Sequence, residues 1–171
     1  MSWEIRSMDN GNDVITKREI ENAQTEWGKA ICEIGRKYTD GLDYRIVAEN
    51  MIDSLYAFEI GPVLFKPTNA SNRQFRTSRK SALSYFISGD NDYPEDKGFG
   101  LQPWIKVRFE NVATFIHGNY AVAMGNYFFT NENGRETKVE FTFGYLKDKD
   151  GNLRINLHHS SLPYLPAPDP R

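Results

Sequence analysis

The chain contains one cysteine, Cys32, among its 171 residues. It can close no disulfide within itself, which suits a reducing compartment, and a thiolate-rich zinc site is excluded. Histidine is also scarce: there are three, His117, His158 and His159. Neighbours on a strand point to opposite faces, so His158 and His159 do not fit one ion, and a catalytic zinc held by three histidines is disfavoured. Charge of either sign is not in excess. Lys and Arg number 21, Asp and Glu 23, and the formal charge is −2, which leaves no basic footprint for nucleic acid or an anionic membrane. No apolar run has the length of a membrane span. The stretch Met1 to Asp13 is polar and lacks the apolar core of a secretory signal. There is no internal repeat, no Gly-x-Ser-x-Gly elbow, no phosphate-cradling glycine loop and no dinucleotide fingerprint. These absences point to a cytoplasmic domain with no resident cofactor or metal and no nucleic-acid or membrane partner.

What the chain does have is aromatic residues, with 11 Phe, 9 Tyr and 3 Trp, enough to predict a largely aromatic core. The length fits a single domain over residues 15–165, between a flexible lead-in (1–14) and a short tail (166–171). Thr16 with Glu19 forms a capping box, and Ile20, Ala23, Trp27, Ala30, Ile31, Ile34 and Tyr38 recur at helical spacing until Asp40-Gly41. Asp43 caps a second helix reaching about Tyr56, with Ile46, Val47, Met51 and Leu55 as its buried side. After Gly61-Pro62, Val63-Leu64-Phe65 reads as a short strand running into Lys66-Pro67-Thr68. A third helix starts near Thr77 or Ser78. Gly89 to Pro103 is a long loop of the kind that often covers a site.

The last third reads as four strands, Trp104 to His117, Tyr120 to Thr130, Glu136 to Lys147 and Leu153 to Leu162. Gly118-Asn119, Asn133-Gly134 and Asp150-Gly151 turn between them. The first strand is long enough to predict a bulge or bend. The whole is α+β, a cone made by a curved antiparallel sheet wrapped around N-terminal helices.

The one chemically loaded segment is His158-His159-Ser160-Ser161. Leu153, Ile155 and Leu157 share parity with His159 and Ser161, so simple alternation turns that pair inward and His158 and Ser160 outward. Thr68 and Tyr85 carry hydroxyls that, converging on His159 and Ser161, would make a neutral network able to orient a water and a small anion. Read for packing alone, these are satisfied polar groups at the edge of a core. The run Arg73, Arg76, Arg79, Lys80 reads as a solvated face, the alternative being that it attracts a small anion toward the loop after Thr68.

The segment His158-His159-Ser160-Ser161-Leu162-Pro163 resembles the His-His-Ser-Ser-x-Pro signature of iota-class carbonic anhydrases, and the order of elements from Thr16 to Pro163 is similar to theirs. The resemblance implies the cone fold of nuclear transport factor 2-like (cystatin-like) domains and of the calcium/calmodulin-dependent kinase association domain. It implies reversible hydration of carbon dioxide to bicarbonate at a metal-free pocket. Members studied as metal-free enzymes bind bicarbonate through a threonine, a tyrosine, a histidine and a serine, which correspond to Thr68, Tyr85, His159 and Ser161. Leu157 stands where the signature commonly has a third histidine. Leu157, Phe141, Phe143 and Leu83 are then the candidate apolar wall, and His159 the proton acceptor or relay. By analogy of fold, the outer sheet face supports a homodimer. The alternative is a non-catalytic oligomerisation or small-ligand-binding domain of the association-domain type. An isomerase- or cyclase-like enzyme would want an acidic base in the pocket, and Glu140 has the wrong parity for one.

Overall fold

The computed structural model describes residues 14–166. All of the expected lead-in but Val14, and most of the tail, lie outside the described residues. Helix α1, Lys17–Thr39, begins at the capping box, with Thr16 accepting from the Glu19 amide and Glu19 bonding back to the Thr16 amide. Helix α2, Tyr44–Leu55, starts at Asp43, whose side chain accepts from the Ile46 amide. Its buried face is Ala48, Met51 and Ile52, with Leu55 partly buried, whereas Ile46 is exposed. The helix is thus rotated from the expected stripe, because 48, 51, 52 and 55 make the tighter i, i+3, i+4, i+7 row. Strand β1 is Leu64–Lys66, and helix α3, Arg79–Ile87, is capped by Ser78. A single 3₁₀ turn, Phe99–Leu101, lies within the long loop.

Strands β2 (Trp104–His117), β3 (Tyr120–Asn131), β4 (Glu136–Lys147) and β5 (Leu153–Ser161) form the expected antiparallel meander. Strand β1 adds itself in parallel to β5, giving the order β1-β5-β4-β3-β2. Two register shifts interrupt β2, at Trp104/Lys106 and Asn111/Ala113, as its length predicts. The inner sheet face packs on the helices. Trp27 of α1 sits at the centre, with the rings of Phe86, Phe109, Phe129 and Phe143 around it at centroid distances of 6.3, 6.0, 6.2 and 6.1 Å. Edge-on contacts predominate, as the ring quadrupoles prefer.

The feature that decides the site is in β5. Tyr145 pairs with Ile155, but Gly144 pairs with Leu157, so β5 carries one more residue than β4 across this step. Asn156 is the extra residue of a bulge, and the bulge reverses the parity of everything after it. Ile155 points into the core before it, and His158 and Ser160 point into the core after it. A glycine opposite is required: a Cβ on Gly144 would lie 2.7 Å from Asn156 Oδ1 and 2.8 Å from Leu157 Cβ.

Candidate active site

The expectation that His159 and Ser161 face inward is corrected by this bulge. His159 is exposed on the outer sheet face, and Ser161 donates there to Glu140 at 3.2 Å. His158 and Ser160 are 2% and 3% exposed and open onto an inner cavity of about 260 Å³. Thr68, just after β1, and Tyr85 of α3 line this cavity with them, so the expected hydroxyls do converge on β5, but on the other pair of the His-His-Ser-Ser segment. Trp27, Phe65, Phe86, Phe99, Trp104 and Phe129 supply the apolar wall. The expected wall residues lie elsewhere. Leu157 is on the outer face beyond the bulge, Leu83 borders a surface groove by Arg79, and Phe141 and Phe143 are core residues behind the cavity.

Each polar side chain has a structural reason to be where it is. Pro67 ends β1 and releases Thr68 at the cavity rim. Tyr85 lies on the inner face of α3, and the Thr68 and Asn69 backbone amides are directed at its hydroxyl oxygen. Burial pushes the Tyr85 hydroxyl well above its ordinary range, against the pull of those amides, so it is a neutral donor. His158 is sandwiched between rings, stacked on Phe65 at 4.6 Å and edge-on to Phe143 at 4.2 Å. Burial, aided by the neighbouring His159, holds its pKa well below 6.5. Its Nδ1 lies 2.9 Å from the Tyr56 hydroxyl, and its Nε2 lies 3.2 Å from Ser160 Oγ and 3.4 Å from the Tyr127 hydroxyl. Ser160 and Tyr127 hydrogen-bond each other.

Tyr56, Tyr127 and Trp27 were not legible as site residues. The available signal is general: a buried tyrosine or tryptophan needs a partner for its polar atom, and in an apolar core that partner is another polar group. No Asp, Glu, Lys or Arg among the described residues lines the cavity. Among the described residues, no three His, Cys, Asp or Glu side chains are grouped to hold a metal ion. What the arrangement offers is a set of neutral hydroxyl donors on one side of an aromatic chamber, suited to a small apolar molecule and a small oxyanion.

The long loop closes over this chamber through Phe99 and Gln102. The basic run leading into α3 anchors it, so Arg76 is not part of a solvated face. Arg76 is fully buried, donating to both oxygens of Asp96 at 2.6 and 2.7 Å. Glu95 accepts from the Asn72, Arg73 and Ser71 amides, which hold its carboxyl down to about 2.

Comparison with known proteins bears on this pocket. Residues 18–162 match a family model described as metal-independent carbonic anhydrase. A protein from Nostoc sp. of that description is 48% identical over 156 residues, covering 90% of this chain and 76% of its own. The crystal structure of a cyanobacterial iota-carbonic anhydrase complexed with bicarbonate superposes with a TM-score of 0.88. It is 47% identical, with 91% of this chain and 96% of that one covered. A putative calcium/calmodulin-dependent protein kinase II association domain from Xanthomonas campestris is similar at 26% identity and a TM-score of 0.59, covering 85% and 86% of the two chains.

Proposed function

Since the chain belongs to the metal-independent carbonic anhydrase family, we propose that its reaction, the reversible hydration of carbon dioxide, runs in the cavity bounded by Thr68, Tyr85, His158 and Ser160. The observation that carries this reading is the convergence of those four side chains on one aromatic chamber. The Phe65, Phe99 and Trp104 rings give carbon dioxide an apolar wall. The hydroxyls of Thr68, Tyr85 and Ser160 hold a water beside it. The water oxygen bonds to the carbon, one water proton leaves, and the negative charge appears on the carbonate oxygens. Prepositioned hydroxyl donors stabilise that charge more than they stabilise neutral carbon dioxide, which is what lowers the barrier. With these residues supplying neither metal nor charged base, alignment and hydrogen bonding provide the acceleration.

The bicarbonate held by the cyanobacterial relative supports the choice of ligand. The test is a hydration assay with chelator present. Activity is expected to persist, and to fall about 100- to 1000-fold in Ser160→Ala and Tyr85→Phe, the range seen when one oxyanion donor is removed. His159→Gln and Ser161→Ala are expected to stay near wild type. Full activity in the first pair, or loss in the second, would sink this assignment of the site.

Two finer features belong to the same reading. The outer sheet face exposes Val112, Phe115 and Met124 at 76, 64 and 50%, a patch that supports a homodimer through that face. Among the described residues no helix is long and apolar enough to cross a membrane, and the unpaired Cys32 fits a cytoplasmic setting.

A further inference from the structure

We propose that Tyr56, itself held by Trp27, is a positioning residue that locks His158 in the Nε2–H tautomer, so that the imidazole serves the cavity as a hydrogen-bond donor and not as the proton acceptor. The consequence for catalysis rests on the functional reading above; the lock itself does not.

The argument is a count of protons. The Trp27 indole nitrogen can only donate, and it lies 2.9 Å from the Tyr56 hydroxyl oxygen. Tyr56 therefore accepts from Trp27 and has one proton of its own to place. The acceptor in reach of that proton is His158 Nδ1, at 2.9 Å. A nitrogen that accepts carries no proton, so a neutral His158 carries its proton on Nε2. That nitrogen faces Ser160 Oγ at 3.2 Å and the Tyr127 hydroxyl at 3.4 Å.

The other protonation states fail at Tyr56. With a proton on Nδ1, two N–H groups would point at one phenol oxygen. The Tyr56 proton would then be buried without an acceptor, because Tyr56 is 1% exposed and ringed by Phe58, Phe65 and Phe86. A doubly protonated ring has the same fault and also buries a charge among Phe65, Phe143 and Trp27.

The direction of the chain then continues into the cavity. Ser160 and Tyr127 receive the Nε2 proton as a hydrogen bond and share one of their own two protons between them. The remaining hydroxyl proton is free to point at a ligand oxygen. The wired order Trp27, Tyr56, His158, Ser160–Tyr127 thus ends as a donor, the polarity that a forming bicarbonate needs. The proton released by the attacking water has no acceptor on His158 and leaves through the cavity mouth to solvent or buffer.

The test is long-range ¹H–¹⁵N correlation on the full chain carrying His117→Gln and His159→Gln, which leaves His158 as the single imidazole. At neutral pH it is expected to show a protonated Nε2 and a bare Nδ1. Tyr56→Phe in the same background removes only the hydroxyl and is expected to mix the tautomers, with kcat falling about 10- to 100-fold, as when a partner that fixes a histidine's tautomer is lost, and KM moving less. Trp27→Phe should shift the tautomers in the same direction while keeping Tyr56. A protonated Nδ1 in the unmodified network would overturn the proposal whatever Tyr56→Phe does to folding. So would an unchanged tautomer in a folded Tyr56→Phe protein. Failure of the hydratase assignment shows separately, as full activity in Ser160→Ala with the Nε2–H signal intact.

Discussion

His158 is caged by Phe65 and Phe143, and both of its nitrogens are engaged by hydroxyls. A ring so placed is a structural group as much as a chemical one. Burial depresses its pKa below the ordinary 6.5, so the folded state holds it neutral where an unfolded chain would begin to protonate it. The sign follows by linkage. The stabilisation is complete above 6.5 and is lost as the pH falls through the folded pKa. Denaturant unfolding between pH 7.5 and about 5 is therefore expected to show a declining free energy in the wild type and a flatter profile in His158→Gln. A profile of equal slope in both proteins would place the loss on other groups. Thr68 and Tyr85 are simpler cases, hydroxyls whose value lies in being aimed, by a proline-ended strand in one and by two backbone amides in the other.

At the scale of elements, the bulge in β5 is the device that makes the pocket. Without the extra residue, a strand that buries Ile155 would bury Leu157 and His159 and turn His158 outward. Gly144 on β4 permits the bulge because it leaves room for Asn156 and Leu157. Gly144→Ala is expected to cost about 1–3 kcal/mol by overpacking. Because strain here displaces the strand carrying His158 and Ser160, hydration activity should fall more than in a core variant of equal stability loss. Comparing the two variants at matched unfolding free energy checks this. The loop over the chamber depends on another local device, the buried Arg76–Asp96 pair. Its two parallel hydrogen bonds give geometric definition that a lysine would not.

At the scale of the molecule, the two sheet faces have different tasks. The inner face joins the aromatic core to the cavity lined by His158 and Ser160, with Trp27 belonging to both. The outer face carries His159, Ser161 and Glu140 beside exposed Val112 and Met124, and is the face through which a homodimer is proposed. Phe115→Glu, placing a charge on that face, is expected to convert the proposed dimer to a monomer in sedimentation velocity while leaving the far-UV CD spectrum unchanged. A wild-type monomer at all concentrations would remove the dimer from the account.

The order and extents of the helices and strands were determined by the sequence itself, because caps, apolar spacing and turn residues act over a few neighbours. Thr16 with Glu19, Asp43 and the glycine turns of the meander needed no tertiary information. The His-His-Ser-Ser segment was likewise visible, and so was the family through it. Only the tertiary structure decided which histidine and which serine serve the cavity. Parity along a strand is a local rule, but a bulge breaks it, and this bulge exists because Gly144 on a neighbouring strand lets Asn156 in. The partners Tyr56, Tyr127 and Trp27 come from three further elements. Only packing brings their polar atoms to the imidazole, so no local pattern in the chain could announce them.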